Sequence, residues 1–291
     1  MDKQGQIKIV DLIRNTLFHS SGVLLGRILG VFSKIVSLKI LGLEILGIYA
    51  LLNLVIPYYS YFFLGTNYSL PKKIPELQSS KNNSEIDKTR SSVNLFSLII
   101  SISLIIAFFI YIIFFYDPQD SIFSIMNLSI VFLTAIVSQA LTLVNSHFKS
   151  IGSFTKIHKN AAIVRVLSPA LSIILVYLLG LNGLLLSALI INLGSLINII
   201  HFANKKKANL FHINHASKDN FIQNTKLGIS MLFSKKLSDI LYTILITSIG
   251  INFSSGIVGG FTFLATMFGM INQILGAFYT IVERRIYLGI E

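Results

Sequence analysis

The sequence predicts an all-α, multi-spanning membrane protein with about eight transmembrane helices. Three observations predict it. The 291 residues are 53% hydrophobic and only 12% charged, with a mean hydropathy of +0.74, and an ordinary soluble domain carries about twice that charged share. The apolar residues fall in eight long stretches. Each is roughly the 20 residues that a helix rising about 1.5 Å per residue needs to cross about 30 Å of hydrocarbon. Finally, Lys and Arg gather on alternate connections between those stretches.

The spans are placed near 17–40, 43–65, 93–115, 121–144, 161–179, 183–203, 227–249 and 256–282. Their backbones have no water to bond with, so each closes its own hydrogen bonds as a helix. The opening MDKQGQIKIVDLIRN carries acidic residues, and no small-residue cleavage site follows the first span. It reads as a retained helix, not a signal peptide. In helix 1, Gly22, Gly26 and Gly30, continued by Ser33 and Ser37, make a small-residue packing stripe. Arg27 and Lys34 are seven residues apart, which places them about 20° apart on a neighbouring stripe, while Lys39 sits at the outer edge. Pro57 in helix 2 and Pro169 in helix 5 remove backbone hydrogen bonds and mark possible hinges. In helix 7, Lys235, Asp239 and Tyr242 share a face with Lys236 beside it. Asp239 neutralises one lysine, leaving one positive charge toward the interior that Arg27 and Lys34 face. By domain, 1–204 forms a six-helix bundle, 205–226 a basic linker, and 227–291 the first two helices of a second bundle.

The charge balance of +12 raises two partners, nucleic acid and an anionic membrane surface. Position decides between them. Eighteen of the 24 basic residues flank one set of connections: 1–16, 66–92, 145–160, 204–226 and the segment after the last span. The opposite turns, near 41–43, 116–120, 180–182 and 250–255, hold none, and Tyr116-Asp117-Pro118-Gln119-Asp120 is acidic. Both termini are therefore expected in the cytoplasm. With no aromatic-interleaved basic face, nucleic-acid binding is not expected.

The six remaining basic residues, Arg27, Lys34, Lys39, Arg165, Lys235 and Lys236, lie within or at the edges of spans. An ionisable group in hydrocarbon costs about 2.5–3.5 kcal/mol, so it faces a cavity or a partner. Arg27, Arg165 and Lys235 have a second reading, because each lies on the cytoplasmic half of its span and can snorkel to the interface. An internal repeat is faintly visible. Arg27 precedes Gly42 by fifteen residues and Lys235 precedes Gly250 by fifteen, so helices 1–2 and 7–8 look related, although Arg165 precedes Gly180 by the same spacing without belonging to that pair. Duplicated halves with matching charged positions are a transporter design, although leucine-glycine is also a common helix end.

Other chemistry is thinly supplied. Cysteine is absent, which removes disulfides and thiolate sites, and the six histidines scatter without a carboxylate cluster, so no metal site is expected. No GxxxxGK[ST] occurs, so this chain is not expected to bind ATP through a Walker loop, and no cofactor is implied.

Gly22-Val-Leu-Leu-Gly26-Arg27-Ile-Leu-Gly30, Ile40-Leu-Gly42-Leu-Glu44-Ile-Leu-Gly47-Ile-Tyr49-Ala50 and Leu70-Pro71-Lys72-Lys73-Ile74 resemble the amino-terminal half of the O-antigen or capsule repeat-unit flippases. These belong to the multidrug/oligosaccharidyl-lipid/polysaccharide exporter superfamily. Leu178-Leu-Gly180-Leu-Asn-Gly183 through Ser187-Ala188 resembles that family's fifth and sixth helices, and Asp239 stands where it often has an acidic residue. The resemblance implies a MATE-like bundle with an incomplete second half. It also implies alternating-access export of an undecaprenyl-diphosphate-linked oligosaccharide, alongside membrane lipids and other polysaccharide-assembly membrane proteins as partners. Arg27, Lys34, Lys235 and Lys236 would supply the cationic cavity for the diphosphate, and Tyr242, Asn127, Gln139 and Asn192 the polar groups for the sugar. The family's second bundle continues beyond the point matched by Glu291, so a fragment or a truncated product is expected ahead of a form that completes its cavity by association. The competing functions are a membrane enzyme of polysaccharide assembly, such as a polymerase or acyltransferase, and a MATE-type small-molecule exporter. The short outer turns disfavour the first, and the net basic interior the second.

Overall fold

The computed structural model describes residues 3–116, 124–205 and 213–288, and among these every regular element is helical. The order is α1 (Lys3–Asn53), α2 (Val55–Tyr61), a 3-10 turn (Thr66–Tyr68), α3 (Leu70–Ser79), α4 (Asn83–Phe114), α5 (Ile125–Ser150), α6 (Phe154–Lys205), α7 (Lys218–Asn252) and α8 (Ser255–Leu288). Residues 117–123 of the acidic turn and 206–212 of the basic linker lie outside the described residues.

Two of these helices are hairpins. Gly42 (φ 76°, ψ 173°) and Gly180 (φ 59°, ψ −130°) leave the helical region, and the chain doubles back at each. The proof is in contacts between residues fifteen apart, which a straight helix would hold about 22 Å from each other. The Lys34 ammonium lies 5.1 Å from the centre of the Tyr49 ring, and Ser172 Oγ lies 2.9 Å from Ser187 Oγ. Both glycines sit at turns expected from the sequence. Gly250, the expected counterpart of Gly42 in the repeat, does not turn the chain. It is helical, a Cβ there would meet Leu51, and α7 continues to Asn252.

Four stretches are long and apolar enough to cross a membrane: Leu25–Tyr61, Asn83–Phe114, Ile125–Ser150 and Lys159–Ala203. The first and last are the hairpins, so these stretches give six crossing arms. Helix 7, expected as a span in its own right, is not apolar enough among the described residues because Lys235, Lys236 and Asp239 interrupt it. Helix 8 has a shorter apolar run, Ser255–Met270. The chain is an all-α, multi-spanning membrane protein. Its burial pattern is that of a protein in lipid. Ile113, Phe114 and Tyr177 are more than 70% exposed, whereas Ser37, Ser91, Asn94, Gln139 and His147 are buried.

The segment 66–92, expected as a loop, is folded. Leu70 and Ile74 of α3 are fully buried against Ile86, Val93 and Leu143, and Pro71 occupies the first turn of α3, where its missing N–H costs nothing. Asn82 then caps α4 by accepting from the Glu85 N–H at 3.3 Å. Likewise 145–160 shrinks to a turn at 151–153, with Gly152 at φ 73°.

The two prolines part company. Pro57 offers no N–H to the Asn53 carbonyl, and the helix breaks at Leu54, separating α1 from α2. Pro169 lies inside α6 without interrupting it, so only Pro57 marks a discontinuity.

Candidate functional site

Helix 1 builds one wall of the site. Its small stripe packs as expected from residue 26 onward: a Cβ on Gly26 would strike Arg165, one on Gly30 would press on the Met270 methyl, and Ser33 and Ser37 are buried. Gly22 lies in α1, outside the residues whose packing is described. Packing this stripe inward turns Lys34 toward the second arm of α1, where its ammonium sits over the Tyr49 ring.

Lys34 lines a first cavity of about 210 Å³ between both arms of α1, α2, α7 and α8, together with Tyr49, Asn53, Pro57, Tyr242 and Thr262. Among the described residues that line it, Lys34 alone is charged. The remaining polar groups of that lining are neutral donors and acceptors. Asn53 donates to the Tyr49 carbonyl at 2.7 Å, and Thr262 and Thr266 donate back to α8 carbonyls, which leaves their oxygens as acceptors.

A second cavity of about 240 Å³ lies between α2, the 3-10 turn, α5 and α7. Ser60, Asn67, Ser138, Gln139 and Thr142 line it with Lys236 and Asp239. Lys236 and Asp239 form an ion pair there. Pro57 borders both cavities. Beside it, α2 is tied to α7 by two hydroxyl pairs, Tyr58 with Thr247 at 2.7 Å and Tyr61 with Thr243 at 3.0 Å.

Backbone contacts flank the cavities at opposite ends. A Cβ on Gly47 would run into the Ser255 carbonyl, and one on Gly259 into the Leu43 carbonyl, so α1 and α8 touch main chain to main chain. Gly65 (φ 65°) and Gly228 make the same kind of contact between the turn after α2 and α7. Beyond that second contact, Asn220 of α7 ties α7 to α3 and α4. It accepts from Lys73 at 3.3 Å and from Thr89 at 3.3 Å, and donates to Glu85 at 2.9 Å. Burial pushes the Lys73 ammonium below the ordinary lysine range, and Glu85 and Glu76 oppose that shift.

The structure therefore divides the expected cationic cluster. Lys34 lies in the first cavity and Lys236 in the second. Arg27 is half-buried beside Arg165 and lines neither cavity, and Lys235 is exposed with its ammonium 5.9 Å from the centre of the Tyr68 ring. The lysine paired to Asp239 is thus Lys236, at three residues' spacing, while the Lys235 ammonium lies beside the Tyr68 ring. Of the neutral residues, Tyr242 lines the first cavity and Gln139 the second, whereas Asn127 is buried in the first turn of α5 and Asn192 lies in the second arm of α6. Sequence reasoning missed Tyr49, Tyr58, Tyr61, Asn67 and Thr243. The spacing of Asp239, Thr243 and Thr247 at every fourth residue was the available signal for the face of α7 that meets α2.

No protein-family model matches the chain, and no curated protein matches it. Among solved structures the chain is similar to a MATE protein in complex with Br-NRF, at 14% identity and a TM-score of 0.46. The match covers 89% of this chain and 66% of that one.

Proposed function

We propose that this chain belongs to a membrane transporter that carries a lipid-diphosphate-linked oligosaccharide from the cytoplasmic to the outer leaflet of a bacterial inner membrane. The observation that carries this reading is Lys34: a lone ammonium in a cavity between α1, α2, α7 and α8 whose described lining holds no carboxylate. A diphosphate is a compact anion that a cation holds strongly where water is scarce. A cationic cargo would instead want carboxylates, and Asp239 is already engaged by Lys236. The hydroxyls and amides of Ser60, Asn67, Ser138 and Gln139 in the second cavity suit sugar hydroxyls. The glycine-rich motifs of helices 1 and 2 that resemble repeat-unit flippases support the same substrate.

The test is complementation of a flippase-deficient strain by the chain and by Lys34→Ala and Lys34→Arg. A hydrogen bond to a charged group contributes about 1.5–3 kcal/mol, so removing the ammonium should lower export by about ten- to a hundredfold, and arginine should keep most of it. Surface polysaccharide restored equally by the parent and Lys34→Ala would overturn the reading.

A further inference from the structure

Away from these cavities, two grooves run into one another on the membrane face of α6. The larger, about 550 Å³, lies between the arms of the α6 hairpin, from Asn160 and Ser195 to Ile174. The smaller, about 180 Å³, lies against the end of α5 at Phe148 and shares Asn160, Ile163 and Asn198 with the first. From Asn160 to Ile174 the helical rise is about 21 Å, more than the roughly 15 Å depth of one leaflet of hydrocarbon. Its walls carry the half-exposed side chains of Ile163, Leu167, Ile174 and Ile190, in a stretch long and apolar enough to lie in a bilayer.

Two features show that this channel is more than rough packing. The first is Gly194, in the interior of the second arm. Glycine in a helix interior costs about 1 kcal/mol relative to alanine, and it is usually retained where a neighbour comes too close for a Cβ. Nothing lies within 4 Å of where the Gly194 Cβ would be, so no neighbour requires the glycine. What its missing side chain does is leave the groove floor open. The second feature is the polar end. Asn160, only 7% exposed, donates to Ser195 and accepts from Asn198 at 2.8 Å, which fixes the Asn198 amide at the groove mouth. Lys159, exposed, lines the smaller groove at the same end.

An apolar trough of leaflet depth with an ammonium and an amide at one end has the chemistry of one lipid. We propose that the α6 groove binds an anionic phospholipid, with an acyl chain along Ile163–Ile174 and the phosphate at Lys159 and Asn198. Charge complementarity selects the headgroup. The basic connections place this end at the cytoplasmic leaflet, where anionic lipids meet juxtamembrane lysines.

Native mass spectrometry of the purified full chain, with phosphatidylglycerol or phosphatidylcholine added in equal amounts, reads the site. The parent chain should retain one phosphatidylglycerol in preference to phosphatidylcholine. Lys159→Ala, an exposed change that spares the fold, should reduce that preference by about fivefold, the effect of one cation at an anionic surface, and Lys159→Arg should restore it. Gly194→Leu, which fills the trough, should remove the retained lipid of either kind. Three results would overturn the proposal. They are equal retention of the two lipids by the parent, a preference untouched by Lys159→Ala, and a dimer in place of a lipid adduct that Gly194→Leu dissociates, which would make the groove a contact between copies of the chain.

Discussion

Lys34 and Lys236 carry the same charge in different company, and the difference decides which of them meets an anion first. Lys34 faces the electron-rich Tyr49 ring, which steadies the ammonium without neutralising it. Lys236 is held by Asp239, both being about half exposed, a setting in which an ion pair contributes at most about 1 kcal/mol. That pair is weak enough for an arriving diphosphate to displace. Asp239→Asn should therefore strengthen binding of inorganic diphosphate to the purified chain by up to about fivefold, read by calorimetry, while Lys34→Ala should weaken it. If Asp239→Asn left the affinity unchanged, Lys236 would have no part in anion binding. At the far end of α7, Asn220 is buried and bonds Lys73, Thr89 and Glu85 at once, so its removal strands several polar groups. Asn220→Ala should cost about 1–3 kcal/mol, measurable as a lower midpoint of thermal unfolding in detergent.

At the scale of elements, the helices meet most closely where glycines let main chain touch main chain. Gly47 and Gly259 lock the second arm of α1 to α8, and a single added methyl has nowhere to go. Gly47→Ala should separate α1 from α8, costing about 1–3 kcal/mol and lengthening the distance between spin labels at the exposed positions 43 and 257. Gly256→Ala, whose Cβ meets nothing within 4 Å, should leave both unchanged. These elements were unequally legible. The turns at Gly42 and Gly180 could be read because a leucine-glycine break between two apolar runs is a local signal. The folding of 66–92 could not, since α3 buries only Leu70 and Ile74 within a short, proline-bearing polar stretch, and its partners Ile86, Val93 and Leu143 are far along the chain. Helix periodicity put Lys235 and Lys236 equally within reach of Asp239. Asp239 takes Lys236, and the Lys235 ammonium lies beside Tyr68 of a different element, a neighbour that no local pattern reports. Pro57 and Pro169 looked alike in sequence, yet only the first coincides with a helix break.

For the whole molecule, contacts sort the connections to two ends without reference to any membrane. A Cβ on Gly180 would sit 3.8 Å from the Leu41 side chain, and Gly47 meets Ser255, so the turns at 42, 180 and 253–254 share one end. At the other, Lys73 and Glu85 reach Asn220, and Phe148 and Ile157 cluster with Ala203, which gathers α3 and the starts of α4, α6 and α7. The second end holds Lys72, Lys73, Lys81, Lys88, Lys149, Lys159, Lys218 and Lys226, and the three turns of the first hold no Lys or Arg. A charge difference of this size across short connections orients a chain during insertion, with the basic end retained inside. Single cysteines introduced into this cysteine-free sequence test it directly. At Tyr177, 78% exposed beside the Gly180 turn, and at Ser254, a cysteine should react with a membrane-impermeant maleimide added to intact cells. At Lys81, on the connection between α3 and α4, it should react only after the membrane is permeabilised. The reverse pattern would invert the chain, place Lys34 below the opposite leaflet's entrance and reverse the direction of the proposed transport. Labelling of all three from outside would mean that the two ends do not lie on opposite faces of the bilayer.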